Sequence, residues 1–315
     1  MKKAVDDVHY KKLKKNQLKK QIVNNRTYYL MLIPCILFFI LIKYRPLYFL
    51  QVAFKDYRIT VPVDKAKWVG LKYFVQLFTS GDFILALKNT LIIAFYRIVF
   101  GFPAPIILAL LLNELKLIKF KKITQTLVYL PHFISWVVIG GILRSFLTTQ
   151  GGVINLLIGL FNQEPVGFLT SSEYFRGILV VSGIWKEVGW GTILYLAAMT
   201  GINSSLYESA TIDGANRFQQ ILHITLPGIT YVIVTLLIIQ VGSLLTTGYE
   251  QIFVLYNPIM KSKGLILPYY VYEQGLSKYR YSFAAAAGLF NSMIAFIFVF
   301  SSDRISKKLG QKGIF

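Results

Sequence analysis

Two neighbouring residues of opposite charge, Lys186 and Glu187, lie in a long apolar stretch of the sequence, where an acid and a base could move a proton. Charged side chains inside a membrane segment are costly, so each one points to a function. Adjacent positions of a helix point about 100° apart, so we do not expect these two side chains to pair face to face. At least one of them should meet a polar cavity or another helix.

Motifs for other enzymatic chemistries are missing from the sequence. A phosphate-binding loop needs Gly-Lys-Ser/Thr, and the chain has no Gly-Lys dipeptide, so we expect no ATP hydrolysis by that route. His9, His132 and His223 lie in separate segments, without a His-Glu-x-x-His or paired-aspartate motif. The single cysteine, Cys35, forms no disulfide within the chain. We predict no catalytic residue, no metal and no cofactor bound by this chain.

The elements that must position the charged pair are membrane helices. The chain has 315 residues, of which 55% are apolar and 15% charged. Several apolar runs approach or exceed the roughly 20 residues that a helix needs to cross a bilayer. Run length and flanking charge therefore predict an all-α polytopic membrane protein of about six spans. The predicted spans are residues 28–47, 89–112, 126–147, 177–199, 229–249 and 283–302. We expect Pro46 to end or kink the first span.

Positive charge predicts the orientation of these spans. The 34 Lys and Arg against 14 Asp and Glu would also suit nucleic acid or anionic lipid, but topology explains them best. Alternate connecting segments hold 18 Lys and Arg in one set and 11 in the other. The first set is 1–27, 114–124, 201–228 and 303–315, and the second is 44–87, 148–176 and 250–282. Since positive segments stay in the cytoplasm, both termini should be cytoplasmic.

This orientation divides the chain into three parts. They are a basic cytoplasmic N-terminal tail at 1–27, a transmembrane domain at 28–302 and a cytoplasmic C-terminal tail at 303–315. The N-terminal tail holds nine Lys and Arg, and no cleavage-like pattern follows the next apolar run, so we predict no removable signal peptide. Residues 10–22 could form an amphipathic helix on anionic lipid, or act only as a retention signal.

The cytoplasmic segment 201–228 between the fourth and fifth spans predicts two short helices around a glycine. Ser205 and Glu208 have capping-box spacing, which would start the first helix. Gly214 permits a turn, and Pro227 should stop the second helix because it pushes the preceding residue out of the helical region. The apolar face of the second helix would consist of Phe218, Ile221, Leu222 and Thr225. Such a projecting helix pair predicts a docking element for a soluble partner.

The same segment resembles the Glu-Ala-Ala loop of the permease subunits of binding-protein-dependent ABC importers. Their pattern is Glu-Ala-Ala, three residues, Gly, nine residues and Ile-x-Leu-Pro, and the spacing here agrees throughout. Ser209 replaces the second-position alanine of that pattern. The resemblance assigns ATPase coupling to Glu208, Ser209, Ala210, Asp213, Gly214, Ala215, Ile224, Leu226 and Pro227.

Longer phrases resemble the carbohydrate-uptake branch of that family, in particular its LplB-type oligosaccharide permeases. They are residues 129–138, 184–190, 249–252 and 281–284, and the resemblance covers about residues 28–309. It implies a type I ABC importer permease fold in a bacterial cell membrane. It also implies four kinds of partner: a second related permease, two copies of a cytoplasmic ATPase that bind ATP and Mg, an extracytoplasmic solute-binding protein, and a sugar.

Intramembrane polar and aromatic residues are candidates for a sugar path, because rings stack on sugar faces and polar groups bond hydroxyls. These candidates are Trp136, Lys186, Glu187, Trp190, Tyr195, Gln240 and Asn291. Helix packing explains each of them as well. Arg97 and Arg144 could bridge helices or reach the membrane interface. Two alternatives stay open: an ABC permease for a solute other than sugar, and a membrane-embedded enzyme acting on lipid with Lys186 and Glu187 as its acid and base.

Overall fold

The computed structural model describes residue 21, residues 24–246, residues 248–308 and residue 310. The predicted amphipathic helix at 10–22 lies almost entirely outside the described residues. Within them the regular secondary structure is helical apart from one antiparallel pair of strands, β1 (Lys55–Asp56) and β2 (Lys67–Trp68), in which Lys55 lies opposite Trp68. The fold is therefore all-α.

The α-helices follow one another with short connections. In chain order they are α1 Arg26–Phe38, α2 Lys72–Thr79, α3 Gly81–Tyr96, α4 Pro103–Glu114, α5 Ile118–Tyr129, α6 Trp136–Leu147, α7 Val153–Gly159, α8 Ser172–Thr200, α9 Ser204–Ile212, α10 Arg217–Gln220, α11 Leu226–Ser243, α12 Tyr249–Leu255, α13 Lys261–Gly264, α14 Leu267–Tyr272 and α15 Tyr281–Lys308. The 3₁₀ segments are Arg45–Phe54, Val63–Lys65, Leu130–Phe133 and Pro258–Met260. The π-turns are Phe39–Tyr44, Arg97–Gly101, Ile221–Thr225 and Glu273–Ser277.

Four continuous helical segments of the described chain are long and apolar enough to cross a membrane. They are Arg26–Phe54, Gly81–Glu114, Arg217–Ser243 and Tyr281–Lys308. They correspond to the predicted first, second, fifth and sixth spans, although the fifth ends at Ser243 rather than at residue 249. The predicted fourth span lies within α8, a single helix of 29 residues whose composition is too polar to count with these four.

The predicted third span is not one helix. Ile118–Phe133 and Trp136–Leu147 meet at an angle of 100°, so they count as one broken span or as a re-entrant pair. Ile134 and Ser135 between them are extended, and the Ser135 hydroxyl accepts a hydrogen bond from the Val138 amide, which starts α6 as a separate helix. Apolar run length alone could not reveal this N-cap.

Prolines do not end the long helices, contrary to the prediction for Pro227. Leu226 keeps helical angles (φ −62°, ψ −48°), and its amide donates to the Ile221 carbonyl five residues back. A proline lacks an N–H and its ring crowds the carbonyl four residues back, and the wider π-turn accommodates both effects. The same arrangement precedes Pro46 and Pro103, so the first helix also continues past Pro46.

Buried residues form clusters at the two ends of the bundle. At one end, Phe83, Tyr270 and Phe283 lie in a core that includes Leu77, and the Tyr57 amide donates to the Ser282 hydroxyl at 2.9 Å. A cluster nearer the 201–228 segment contains Tyr195 of α8. By contrast, every described residue from 26 to 50 is exposed. This apolar first helix therefore depends on lipid or another protein for burial.

Candidate functional site: a helix pair and a central cavity

The first arm of the helix pair is α9, and it begins at Asn203 rather than at Ser205. Asn203 is extended (φ −65°, ψ 123°), and its side-chain oxygen accepts from the Ser205 amide at 3.0 Å. Ser205 therefore lies inside the helix, and the predicted capping box with Glu208 is wrong. Glu208 is exposed, so its carboxylate is available to a partner.

The turn after α9 depends on Gly214, as the sequence predicted. Gly214 has φ +80°, a conformation that favours glycine. The Ala215 amide donates to the Ala210 carbonyl at 2.8 Å, and the Gly214 amide donates to the Thr211 carbonyl at 3.1 Å. These two bonds form a Schellman motif, which ends the helix in a defined direction.

The second arm starts with a capping box that sequence reasoning missed. The Asn216 side chain accepts from the Gln219 amide at 2.9 Å, and the Gln219 side chain accepts from the Asn216 amide at 2.8 Å. The spacing Asn-x-x-Gln is typical of a capping box and could have predicted this helix start. It places α10 directly after the turn.

Three side-chain hydrogen bonds hold the two arms and the turn between them together. The buried Gln220 amide donates to the Thr211 hydroxyl at 3.0 Å and to the Ala215 carbonyl at 3.2 Å. The hydroxyls of Tyr207 and Thr225 are 2.9 Å apart. The two arms therefore behave as one body.

The exposed face of the helix pair combines acidic and apolar residues. Glu208, Ser209, Asp213, Gly214 and Pro227 are exposed. Ala210, Ala215, Ile224 and Leu226 are half-buried. The predicted apolar face of the second arm is split, because Phe218 and Leu222 are exposed whereas Thr225 is buried against the first arm. Leu206 and Ile212 add to the exposed apolar area.

The second arm is continuous with the helix that borders the central cavity. α10, the π-turn and α11 form one helical segment from Arg217 to Ser243. Arg217 lies 3.9 Å from Glu114, at the end of α4. Residues near the other end of the segment line the cavity, among them Gln240 and Ser243. One helical segment thus joins the helix pair to the cavity lining.

The cavity has a volume of about 620 Å³. Five of the predicted path residues line it: Trp136, Glu187, Trp190, Tyr195 and Gln240. Lys186 and Asn291 do not belong to the lining. Asn291 lies on α15, and its buried side-chain oxygen has no hydrogen-bond partner among the described residues.

Lys186 instead holds the broken span. Its ammonium group is buried and donates to the carbonyls of His132 at 2.5 Å, Ile134 at 2.9 Å and Pro131 at 3.4 Å. These carbonyls lie at the end of the first half of the bend, where a helix leaves acceptors unpaired. A cation there also meets the negative end of the helix dipole.

Glu187 connects the bend to the cavity lining. Its carboxylate lies 2.8 Å from His132 and 3.8 Å from Lys186, so the adjacent charges do come into contact, contrary to the expectation from their spacing. The His132 ring stacks on Trp190, with centroids 4.5 Å apart and planes inclined by 3°. Both Glu187 and Trp190 face the cavity.

Both intramembrane arginines bridge helices. Arg97 donates to the Gln251 side-chain oxygen at 2.5 Å, and Arg144 donates to the Val254 carbonyl. Arg97 and Gln251 also line the cavity, and neither was among the predicted path residues. Arg97 could have been predicted as a cavity residue because it is a charge inside the second span, whereas nothing in the sequence distinguished Gln251. Among the described residues, no group of three His, Cys, Asp or Glu side chains could hold a metal ion.

Long apolar helices, a projecting helix pair and a cavity between them define a membrane transport subunit. The chain belongs to the family described as "Binding-protein-dependent transport system inner membrane component", whose model matches residues 91–312. It is thus a permease subunit of an ABC transporter and not an enzyme.

Curated relatives match nearly the whole chain. It is 43% identical to the polygalacturonan/rhamnogalacturonan transport system permease protein YteP of Bacillus subtilis, over 99% of this chain and 97% of that protein. It is 44% identical to protein LplB of Bacillus subtilis, over 91% of this chain and 90% of that protein. The chain is also similar to a solved structure, a chain of a bacterial alginate ABC transporter crystallised with an alginate pentasaccharide-bound periplasmic protein. The two sequences are 42% identical and the structures superpose with a TM-score of 0.87. The match covers 94% of this chain and 99% of that chain.

Proposed function

We propose that this chain is one of two permease subunits of an ABC importer that takes up an oligosaccharide. The names of the relatives support this substrate class, since they refer to polygalacturonan or rhamnogalacturonan and to alginate. A third relative, at 28% identity, is an arabinooligosaccharides permease of Bacillus subtilis. A cavity lined by Trp136 and Trp190 suits the apolar faces of sugar rings.

The proposed partners follow from the same family. A second permease completes the path, and two copies of a cytoplasmic ATPase bind ATP and Mg. An extracytoplasmic binding protein delivers the saccharide, and the connecting segments 57–85, 148–176 and 250–282 offer it a surface. Both termini and the helix pair then lie in the cytoplasm of a bacterial cell.

The observation that carries this proposal is the unbroken helix from Arg217 to Ser243. The exposed Glu208 and its apolar neighbours dock on the ATPase, and the bonds of Gln220 and Tyr207 keep the arms from bending independently. Closure of the ATPase dimer therefore moves α11 and the cavity wall together. Glu187 and Trp190 respond on the opposite wall, through the bend that Lys186 holds.

The proposal is tested by reconstituting the chain with its second permease, ATPase and binding protein in vesicles. We expect saccharide accumulation that requires ATP and all four components. An ABC importer of the same architecture that accumulates only a solute other than saccharide would favour the first alternative. Solute movement by this chain alone, without a nucleotide-hydrolysing partner, would contradict the proposal as a whole.

A further inference from the structure

Arg97 is a cation in a membrane helix, and Glu187 of the same cavity lining acts on it electrostatically without forming an ion pair within 4 Å. None of the ion pairs among the described residues includes it. Within that part of the chain its hydrogen bond goes to the neutral amide oxygen of Gln251. A guanidinium has five N–H donors, and charges inside a membrane are almost always paired. Arg97 thus has bonding capacity left for a ligand in the cavity that it lines.

The surrounding structure holds the guanidinium in place. Arg97 begins a π-turn, a feature found frequently at functional sites. Gln251 is fully buried, and its amide group donates to the Leu179 carbonyl and the Ser182 hydroxyl, each at 2.8 Å. These two bonds fix the Gln251 oxygen toward Arg97. A Cβ at Gly248 would overlap the guanidinium, so a glycine is needed beneath it.

The acid of the same cavity also contacts a second cation, Lys186. Glu187 lies 2.8 Å from His132 and 3.8 Å from Lys186. Arg97 and Glu187 are the charged residues of the described cavity lining. Arg97 and Lys186 carry two positive charges against the one negative charge of Glu187, so one positive charge is left in excess beside the cavity.

We propose that Arg97 binds a carboxylate of the transported saccharide and makes the cavity selective for uronate-containing oligosaccharides over neutral ones. This inference rests on the proposed function, since it names the substrate class of the same importer. The planar guanidinium matches a carboxylate with two parallel N–H···O bonds. Trp136 and Trp190 supply ring faces in the same cavity.

The test uses the complete importer in vesicles and two probes, trigalacturonic acid and its methyl ester, each delivered by a saturated binding protein. We expect Arg97→Gln to reduce uptake of the acid by about tenfold or more, which is the effect of one lost charge-assisted hydrogen bond. Uptake of the ester should stay unchanged. Arg144→Gln is the matched control, because Arg144 bonds the Val254 carbonyl and lies outside the described cavity lining.

Equal loss of both probes in Arg97→Gln would overturn the inference and leave Arg97 as a helix bridge only. An unchanged ratio of acid to ester uptake would overturn it as well. If Arg97→Gln fails to assemble, Gly248→Ala displaces the guanidinium without removing it, and an unchanged ratio there again contradicts the inference. A wild-type importer that accumulates neither probe nor any other saccharide would instead overturn the proposed function, and with it this inference.

Discussion

Gly248 shows how a single residue without a side chain can determine the geometry of a charged group. Its backbone is in the left-handed region (φ +81°), and the Arg97 guanidinium occupies the space that a Cβ would need. The position is therefore constrained twice, once by backbone strain and once by the cation. Neither constraint comes from an apolar core.

We expect Gly248→Ala to destabilise the protein by about 1–3 kcal/mol, because alanine adds backbone strain and pushes on the guanidinium. Thermal unfolding in detergent measures this effect. Gly141→Ala is the control, since Gly141 lies in α6, has ordinary angles and no atom within 4 Å of an added Cβ. There alanine should be neutral or stabilising by up to about 1 kcal/mol. Equal effects of the two substitutions would refute the argument.

We expect Lys186→Met to lower the unfolding temperature markedly, because it leaves buried carbonyls at the bend without a donor, at about 1–3 kcal/mol each. It also leaves Glu187 with His132 as its remaining described partner. Lys261→Met removes a lysine from an exposed pair with Asp82 and should cost less than about 1 kcal/mol. A Lys186→Met protein as stable as Lys261→Met would show that the bend does not depend on this cation.

At the scale of elements, polar bonds hold the helix pair together. The Schellman motif at Gly214, the capping box at Asn216 and the bonds of Gln220 and Tyr207 define its shape. Its apolar side chains Leu206, Ile212, Phe218 and Leu222 are exposed. An element built this way keeps its shape while leaving a surface for a partner.

We expect Glu208→Lys and Gly214→Asp to leave the protein folded and inserted but to uncouple transport from ATP hydrolysis. Within the described part of the chain Glu208 makes no hydrogen bond or ion pair that the lysine would break, and Gly214 has open space around it. The substitutions therefore change the docking surface and the turn angle. The measurement is uptake together with saccharide-stimulated ATPase activity. Glu164→Lys, at an exposed glutamate of the segment 148–176, is the matched charge reversal. Wild-type uptake and stimulation in both variants would count against a coupling role.

The strand pair gives a prediction about pH. Burial and the hydrogen bond to Asp56 raise the pKa of Tyr73 to about 12, and that bond, of 2.6 Å, lowers the pKa of Asp56. Stability from neutral Tyr73 is present below pH 10 and is lost as the pH rises toward 12. Stability from ionised Asp56 is present above its unfolded pKa of 3.8 and is lost as the pH falls below that value.

We therefore expect wild type to unfold at a higher temperature than Tyr73→Phe near neutral pH. The difference should shrink as the pH rises from 10 to 12 and again as it falls below 4. Tyr28→Phe, at an exposed tyrosine, is the control and should show no such pH dependence. A difference that stays constant across the whole range would mean that the two groups do not interact.

Sequence patterns predicted the elements better than the breaks within them. Apolar run length located the long helices, and Gly214 was predicted because a turn there requires a residue that tolerates positive φ. The bend at Ile134 was missed, since one Ser135 hydroxyl creates it inside an apolar run. The prediction that the helix stops at Pro227 was wrong, because a π-turn accommodates the proline. Such a turn leaves no recognisable pattern in the spacing of apolar residues.

The cavity lining was predicted only in part, for a related reason. Trp136 and Glu187 attract attention by their residue type, whereas Gln251 is an ordinary polar residue until three helices bring it to Arg97. Lys186 was expected near the path and instead holds the broken span. Which intramembrane charge faces the cavity depends on tertiary contacts that residue spacing does not encode.

At the scale of the whole molecule, one helix connects the helix pair to the cavity. It runs from Arg217 to Ser243, and its far end faces the wall that carries Glu187 and Trp190. The bend held by Lys186 contacts that wall through His132 and Glu187. We therefore expect the helix on one side of the cavity to move as a rigid unit and the bent span on the other side to change its angle.

This arrangement predicts which distances change during transport. Spin labels at Phe218 and Ile239 lie about 32 Å apart along a helix that rises 1.5 Å per residue, and this distance should be equal in nucleotide-free and ATP-trapped importer. Labels at Ile239 and Val137 should change their separation between the same states. Electron paramagnetic resonance measures both pairs, after Cys35→Ser removes the one native cysteine. A change in the first distance would mean that the π-turn bends and that the helix is not a rigid member.

The π-turn at Ile221–Thr225 also determines whether the chain tolerates the insertion or deletion of a residue at that point. Each residue of a helix accounts for about 100° of rotation, so losing a single codon there would rotate the helix pair by more than a quarter of a circle relative to α11. The same lesion in the connecting segment 148–176 would be absorbed by local rearrangement. Among natural variants, in-frame insertions and deletions should therefore be rare at 221–225, even where amino-acid replacements are common.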